Sequence, residues 1–506
     1  MRRISKVIGP PGTGKTTKLL EFVDKAVKKY GSDAVGAVSY TKTAIQTIVN
    51  RVRDAGHAVP RNVQTIHAHC YKLLGVEKTQ ICDPKKANFK DFIKAYPTWR
   101  FTNIESNDPT DYHSPSEGDS LWYFNRAQAL RHMTAPIELW GTQEQAIHKD
   151  WMNFLTENDL YDYTGMLEKA LDKELRPYGM SVMFVDEAQD LTLLQYKLIR
   201  MWIEDVQATV FLGDSDQSIF RFTGVTPDTF INIQPTWMIL DQSYRVPKNI
   251  QDYSQQIIKR VSRREEAPYK PATGNGDGRI IRCGDPDFSL PGTHMIIART
   301  NRDAVRWIKY LNEKNLIWHN PYKPDNKVWN PTTCPAWRAY GVYQKLRNQQ
   351  RITGMELQSL TSELTAKETM KHGLKTEISK WDEYQQMRLY SFLDLAQMGF
   401  ATAFLRGNIE PRIFLGNNAS YIKNIEKLYT PEEPRICVGT FHSVKGGEMD
   451  HVWVDSTLSK FMSLLIDKDR MVYDDEARLA YVAVTRARQT VGIIEPQNPR
   501  YKNPHF

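Results

Sequence analysis

The residues best able to do chemistry form a glycine-rich run near the start of the chain. Residues 9–16 read Gly-Pro-Pro-Gly-Thr-Gly-Lys-Thr, which has the spacing of a phosphate-binding loop. Glycines let the backbone turn tightly, so that successive N–H groups point at phosphate oxygens. Lys15 could then reach the β- and γ-phosphates of a nucleoside triphosphate, and the Thr16 hydroxyl could bind Mg²⁺. The run predicts a nucleotide site but does not tell how the nucleotide's energy is used.

Two acidic residues follow a short apolar run later in the chain. Residues 182–185 read Val-Met-Phe-Val, and Asp186 and Glu187 come next. In nucleoside triphosphatases the first acid at such a position holds Mg²⁺ through water, and the second polarises the attacking water as a base. An acidic helix start after a strand would give the same pattern. The phosphate loop upstream favours the catalytic interpretation.

A third polar turn follows the apolar run 209–212. Gln217 lies in this turn, where a side chain at the carboxyl end of a strand could sense a γ-phosphate. Phe220 and Phe222 come next, in polar surroundings. Base stacking and packing between domains fit these two rings equally well.

The elements that must position these residues alternate between strands and helices. Residues 6–8 predict a strand before the phosphate loop, and apolar residues from Leu19 to Tyr30 recur at helical spacing after it. Residues 34–39 predict a buried strand, because parallel strands covered on both faces are continuously apolar. The second half repeats this alternation without a second phosphate loop. The pattern predicts an α/β fold built on parallel sheets.

Length and composition limit the class of protein. A chain of 506 residues suggests about three or four domains, and no apolar run approaches the roughly 18 residues that a membrane-spanning helix needs. The five cysteines are scattered and form no C-x-x-C, so structural disulfides and a zinc site are not expected. The expected compartment is a reducing cytosol. The N-terminus passes straight into the first predicted strand, so no cleavable signal is expected. The net charge of +8 permits a polyanionic partner without requiring one.

The ordered motifs resemble those of the UvrD/Rep/PcrA type of superfamily 1 DNA helicase. They read GPPGTGKTT, SYTKTA, TIHAHC, VDEAQD, GDSDQSIFRF, QSYR, IARTN, GTFHSVKGGE and LAYVAVTRAR, from Gly9 to Arg488. The resemblance implies two RecA-like parallel-sheet P-loop domains, each with a mainly helical insertion. The first ATP-binding domain would contain residues 1–70 and 166–235, and the second would contain 236–318 and 425–506. The insertions would be 71–165 and 319–424.

The resemblance also implies the residues of a site for ATP and Mg²⁺. The phosphate-binding positions would be Gly9, Pro10, Pro11, Gly12, Thr13, Gly14, Lys15, Thr16 and Thr17. Tyr244 would stack on adenine and Glu448 would lie near the ribose, while Thr16 and Asp186 would hold the metal ion. Lys15, Glu187, Gln217, Arg245 and Arg486 would carry the chemistry, the two arginines reaching the γ-phosphate from the second domain.

By the same resemblance, a set of mostly aromatic and hydroxyl side chains would line a path for single-stranded DNA. They are Tyr40, Thr41, His67, Phe220, Phe222, Thr440 and His442. Residues 223–225 read Thr-Gly-Val where the family usually has Arg-Gly-Ala. In place of the family's strand-separating hairpin only a short tail follows the TRAR motif, with Tyr501 as its aromatic residue. This tail is rich in Pro, Asn and Lys and is predicted to fray.

The function expected from the resemblance is that of an ATP-dependent DNA helicase. It would move 3′ to 5′ on single strands, unwind duplexes, bind single-stranded and tailed duplex DNA, and meet replication or repair proteins in the cytoplasm, or in a host's cytoplasm if phage-encoded. The short tail and the small second insertion motivate an alternative, a translocase that displaces proteins and separates strands weakly. A non-catalytic DNA-binding or loading module is a third alternative. The presence of Lys15, Glu187, Arg245 and Arg486 argues against it.

Overall fold

The chain divides into two compact units. The first contains Met1–Pro286 and Glu448–Phe506, and the second contains Asp287–Gly447. The computed structural model describes residues 3–39, 42–54, 56, 60, 62–84, 86–101, 120–314, 316–320, 335–364, 369–406 and 434–506. The domain boundaries expected from the resemblance stay a prediction.

A parallel sheet forms the centre of the first unit. Its described strands are β1 (Arg3–Ile8), β2 (Val35–Ser39), β3 (Asn62–Thr65), β4 (Val182–Val185), β5 (Ala208–Gly213) and β6 (Thr236–Ile239). The strand order is β3-β2-β4-β5-β1-β6, and every neighbouring pair is parallel. The chain order therefore reverses beside β1, and such a reversal is where ligands bind in open α/β sheets.

Both faces of this sheet are covered, which explains its continuously apolar strands. One face contributes Val7, Ala37, Phe184 and Leu212, which pack with Leu19 and Val23. The other contributes Ile8, Val38, Val185 and Phe211, which pack with Leu198 and Ile199. Successive side chains of a strand point to opposite faces, so each neighbour in these strands enters a different core.

Further parallel strands lie in each unit. In the first unit β13 (Ala487–Ile494) pairs with both β12 (Met449–Asp455) and β7 (Arg279–Cys283). In the second unit β11 (Ile436–Thr440) pairs with β8 (His294–Ala298), and a short antiparallel pair joins β9 (Ile352–Thr353) to β10 (Leu389–Tyr390). The prediction of two parallel-sheet α/β domains is confirmed.

The helices of the first unit follow its strands, and several lie in the described part of residues 71–165. They are α1 (Lys15–Tyr30), α2 (Lys42–Asp54), α3 (Ile66–Leu74), α4 (Phe89–Ala95), α5 (Leu121–His132), α6 (Thr142–Glu157), α7 (Tyr163–Asp172), α8 (Leu193–Trp202), α9 (Pro227–Ile231) and α10 (Lys248–Ile258). The second unit contains α11 (Asn301–Glu313), α12 (Pro335–Arg347), α13 (Gly354–Glu363), α14 (Leu374–Ser379), α15 (Glu383–Met387), α16 (Phe392–Met398) and α17 (Thr402–Leu405). The chain returns to the first unit with α18 (Lys460–Lys468) and α19 (Arg470–Val484).

The first insertion has a core of its own. Phe89, Phe92, Phe124, Trp151 and Phe154 pack together between α4, α5 and α6. Aromatic rings bury large areas and prefer tilted or edge contacts, so a few of them suffice to hold short helices together. None of the helices in the described part of the chain combines the length and apolar character needed to cross a bilayer.

The C-terminal tail is packed against the first unit, so the prediction that it frays is wrong. The N–H of Asn503 donates to the Ser456 carbonyl (2.8 Å), and the N–H of Leu458 donates to the Tyr501 carbonyl (2.7 Å). His505 and Phe506 are buried. Backbone pairing with the residues after β12 orders a sequence whose composition alone favours fraying.

Candidate active site

The phosphate loop lies between β1 and α1, as its sequence predicts. Gly12 has a φ of +71°, and a Cβ there would lie 2.5 Å from the Cβ of Arg245. A Cβ on Gly9 would lie 2.0 Å from the Cγ of Lys15. Lys15 therefore folds directly over the loop backbone, and its neighbours must lack side chains. In α1 the first turn carries no acidic residue and no side chain caps it, which leaves its N–H groups for an anion.

The segment before α10 is hydrogen-bonded to the phosphate loop. The Ser243 hydroxyl donates to the Pro11 carbonyl (2.8 Å), and the Tyr244 N–H donates to the Gly12 carbonyl (2.8 Å). These bonds place Tyr244 and Arg245 beside the loop. The Tyr244 side chain is 75% exposed, so its ring face is accessible to a nucleotide base.

Asp186 and Glu187 stand at the carboxyl end of β4. Glu187 has a φ of +48°, a left-handed conformation that is costly for a residue with a Cβ. Its Oε2 lies 3.8 Å from the Nζ of Lys15. Strained backbone of this kind persists where the surroundings enforce it, and it is frequent at functional sites. The structure thus brings the candidate base to the phosphate loop.

Asp186 has the features of a ligand that awaits a cation. It is buried, and its Oδ1 accepts no hydrogen bond from any described residue. Burial, followed by the neighbouring Glu187, raises the pKa of Asp186 to about 7. No group of three His, Cys, Asp or Glu in the described residues could hold a metal ion by itself. A Mg²⁺ ion at Asp186 and Thr16 would therefore need phosphate oxygens as further ligands.

A buried hydrogen-bond network joins the candidate base to the candidate γ-phosphate sensor. Gln189 donates from Nε2 to Oε2 of Glu187 (2.5 Å), and its Oε1 accepts from the N–H of Asp214 (3.0 Å). Gln217 donates from Nε2 to Oδ2 of Asp214 (2.7 Å). Arg486 donates from Nη2 to Oε1 of Gln217 at 3.4 Å. The network spans β4, the turn after β5 and the residue before β13.

The two candidate arginines and Glu448 lie close to one another. Arg486 is buried, and burial followed by the nearby Arg245 lowers its pKa to about 9, so it stays charged at neutral pH. Arg245 and Arg488 both pair with Glu448. Burial alone would raise the pKa of Glu448, but these two cations hold that pKa below its usual range. All four residues belong to the first compact unit.

Phe220 and Phe222, two of the candidate DNA residues, lie three and five residues after Gln217. Phe220 and Phe222 flank a short turn, and their ring centroids lie 6.1 Å apart at 70°. Both are half-buried, so neither is a core residue. Gly224 has a φ of +90°, and a Cβ there would lie 2.6 Å from the Ala129 carbonyl. Helix α5 therefore packs directly on this turn, and Thr223 closes it by donating to the Phe220 carbonyl (2.7 Å).

The remaining candidates for the DNA path belong to different parts of the chain. The rings of His67 and Tyr163 meet edge to face at 5.8 Å, and burial lowers the pKa of His67 to about 4, so it is neutral at pH 7. Thr440 and His442 are buried and belong to the second compact unit. Tyr40 and Thr41 lie outside the described residues.

Family models match both halves of the chain. The model of the UvrD/REP helicase N-terminal domain matches residues 1–237, and the model of the UvrD-like helicase C-terminal domain matches residues 341–497. The chain belongs to the UvrD/REP helicase family. The two matches together include the hydrogen-bond network described above. Glu187 and Gln217 lie in the first match, and Arg486 lies in the second.

Curated relatives of this UvrD/REP family member include bacterial helicases. The ATP-dependent DNA helicase PcrA of Staphylococcus epidermidis is 24% identical over 305 residues, which cover 54% of this chain and 40% of that protein. PcrA of Staphylococcus aureus is 24% identical over 333 residues, covering 60% and 42%. The chain thus spans about two fifths of the length of these relatives. An arterivirus nonstructural protein 10 helicase in complex with DNA has a TM-score of 0.35 at 12% identity, covering 98% of this chain and 62% of that one.

Two polar residues of this UvrD/REP site are not among the functional residues expected from the sequence. Gln189 and Asp214 connect the base to the sensor, yet each reads in the sequence as one more polar residue of a motif. The signal that could have marked them is their place in the short polar turns that follow strands buried on both faces. Such residues must find partners inside the protein.

Proposed function

We propose that this chain is an ATP-dependent DNA helicase that moves 3′ to 5′ along single-stranded DNA and unwinds duplex DNA. The observation that carries the proposal is the buried network from Glu187 through Gln217 to Arg486 beside the phosphate loop. A site that served only to bind nucleotide would not need a strained acid, an amide and a buried arginine in one network. The direction of movement rests on the family resemblance.

In the proposed reaction each residue acts on ATP bound at the phosphate loop. Lys15 and the N–H groups at the start of α1 hold the phosphates. Glu187 orients and deprotonates the attacking water. Arg245 and Arg486 stabilise the negative charge of the transition state. Mg²⁺ bound by Thr16, Asp186 and the phosphates would neutralise charge on the β- and γ-phosphates.

The proposed coupling to DNA uses contacts within the first unit. Gln217 precedes Phe220 by three residues, so the turn that carries the sensor and the turn that carries the rings follow one another in the chain. Arg221, between the two rings, pairs with Asp475 of α19 (3.0 Å), and α19 ends two residues before Arg486. A strand bound at the rings would therefore bias both the sensor and the arginine. Alternate gripping and release with each hydrolysis cycle would move the protein along the strand.

A second candidate is a translocase that displaces proteins and separates strands weakly. After Arg488 the chain continues along β13 and then through the turn Pro499–Tyr501. The backbone of Tyr501, the aromatic residue of the tail, is bonded to Leu458. This observation favours weak strand separation. The ATP-site geometry argues against a non-catalytic loading module.

Duplexes with a 3′ or a 5′ single-stranded tail test the proposal. The 3′-tailed duplex should be unwound with ATP and Mg²⁺, and the 5′-tailed and blunt duplexes should not. Strong DNA-stimulated hydrolysis with removal of a bound protein but little strand separation would favour the translocase. Absence of any DNA-stimulated hydrolysis would overturn both. Contacts with replication or repair proteins and a cytoplasmic location are further parts of the proposal.

Phe222→Ala should weaken single-strand binding by about 1–3 kcal/mol whatever the base sequence, because stacking on a ring does not read base edges. Fluorescence anisotropy with labelled oligonucleotides of several compositions measures this. Tyr178→Ala removes an aromatic residue that is 90% exposed and serves as the control. A large fall in Tm with unchanged DNA affinity would return Phe222 to a packing role.

A further inference from the structure

Four successive residues after α10 reach four separate parts of the first unit. Residues 262–265, here called the clamp segment, belong to a stretch that reads in the sequence as a surface loop. Ser262 donates from its N–H to Asp474 (3.0 Å), Arg263 pairs with Asp228 (2.6 Å), Arg264 pairs with Asp216 (2.7 Å) and Glu265 pairs with Lys6 (2.6 Å). The segment contains no helix or strand, but its side chains and backbone hold several elements together.

The pair between Arg264 and Asp216 is the most enclosed contact of the clamp segment with the candidate active site. Arg264 approaches with Nη2 at 2.7 Å from Oδ2 and with Nε at 3.2 Å from both oxygens. The exposed fractions of the two side chains are 10% and 4%. Burial, followed by the neighbouring Asp214, raises the pKa of Asp216 to about 7, and Arg264 opposes that rise. Arg264 is thus the main partner that favours the charged form of this buried carboxylate.

Asp216 belongs to the turn that presents Gln217. The turn Ser215–Gln217, here called the sensor turn, follows β5. The N–H of Asp216 donates to Oδ1 of Asp214 (3.0 Å). The clamp segment holds the turn a second time, because the N–H of Glu265 donates to the Ser215 hydroxyl at 3.4 Å. With Asp216 fixed on one side, the amide of Gln217 is directed to Asp214 and Arg486 on the other.

Helix α19 is tied to the same contacts. Arg478 donates from Nε to the Ser215 carbonyl (3.3 Å) and from Nη2 to the Arg263 carbonyl (2.6 Å). The clamp segment, the sensor turn and the helix that leads to Arg486 therefore form one connected set of buried polar contacts. Such networks fix a geometry more than they add stability.

We propose that Arg264 is a positioning residue that fixes Gln217 for recognition of the γ-phosphate. Arg264 acts through Asp216 and the backbone of the turn. The inference rests on the proposed function, since it assumes that Gln217 acts in ATP hydrolysis. It adds a residue that lies outside every motif on which the family resemblance is based.

Arg264→Gln should lower kcat for ATP by about 10–100-fold, because a small displacement of a group in the transition state is costly. The KM for ATP should stay within about twofold of the native value, because the phosphate loop that binds the triphosphate is untouched. Arg264→Lys keeps the charge but loses the planar fork, and should give an intermediate kcat.

A double-mutant cycle with Gln217→Ala distinguishes positioning from a general structural role. If Arg264 acts through Gln217, Arg264→Gln should cause no further loss of kcat in the Gln217→Ala protein. Should Arg264→Gln fail to fold, Arg264→Lys serves in the same cycle. Multiplicative losses in the double variant would overturn the inference.

Glu265→Gln is the matched control, since it breaks another buried ion pair of the same clamp segment that leads to β1 and not to Gln217. It should lower Tm yet leave kcat at the native value at a temperature where both proteins are folded. A loss of kcat equal to that of Arg264→Gln would also overturn the inference. A native chain without ATPase activity would overturn the proposed function together with the inference, whereas hydrolysis with multiplicative losses would overturn the inference alone.

Discussion

Glu187→Gln should reduce ATP turnover by about 10²–10⁴-fold while nucleotide and DNA binding persist, because the amide keeps the shape of the carboxylate but cannot accept a proton. Its position 3.8 Å from Lys15 and its left-handed backbone both fit an acid held in place for one task. Steady-state hydrolysis with saturating single-stranded DNA measures the turnover.

Two comparisons make the Glu187 result specific. Lys15→Ala should raise the Kd for nucleotide, whereas Glu187→Gln should not. Glu204→Gln makes the same chemical change on an exposed ion pair with Arg176 and should leave turnover unchanged. A Glu187→Gln protein that hydrolyses ATP at the native rate would mean that another group activates the water.

Arg486→Ala should lower DNA-stimulated kcat by about 10³-fold or more, the effect expected when an arginine that stabilises transferring phosphate is removed. The side chain is buried beside Gln217, and the nearby Arg245 is already paired with Glu448. Hydrolysis and single-strand affinity should be measured on the same preparation.

The affinity for single-stranded DNA should change much less than kcat in the Arg486→Ala protein. Arg282→Ala removes an arginine from a surface pair with Glu495 and serves as the control for loss of positive charge. Equal losses of hydrolysis and DNA affinity in Arg486→Ala would show that this arginine serves the DNA and not the nucleotide.

The strands that carry the site were predictable because each is buried on both faces. Residues 182–185 and 209–212 read as buried strands in the sequence, and the catalytic candidates lie in the turns after them. Strand β6 has no such signature: it has four residues at the edge of the sheet, and Trp237 is exposed. None of its four residues is fully buried, so it lacks the continuous apolar run that marks the central strands of a covered parallel sheet.

The polar contacts of the site could not be predicted in the same way. Arg264 and Asp216 are 48 residues apart, and neither residue type indicates which of the chain's many charges will be its partner. The segment 262–278 has the Pro, Gly and charge content of a solvated loop. The same composition is compatible with a segment whose charged side chains are enclosed in ion pairs. The packed tail is a similar case, because its order comes from backbone bonds to Ser456 and Leu458 and not from its own side-chain pattern.

Because the ion pairs around the sensor turn are buried, the geometry of the nucleotide site and the affinity for DNA should respond differently to ionic strength. Dissolved salt screens exposed charges but has little effect on pairs as enclosed as Arg264 with Asp216. Affinity for nucleic acid falls steeply with salt, because bound cations are released from the phosphate backbone. In concentrated salt we therefore expect the protein to release single-stranded DNA while its nucleotide site keeps its geometry. The slow ATP hydrolysis that remains would be the hydrolysis that DNA does not stimulate.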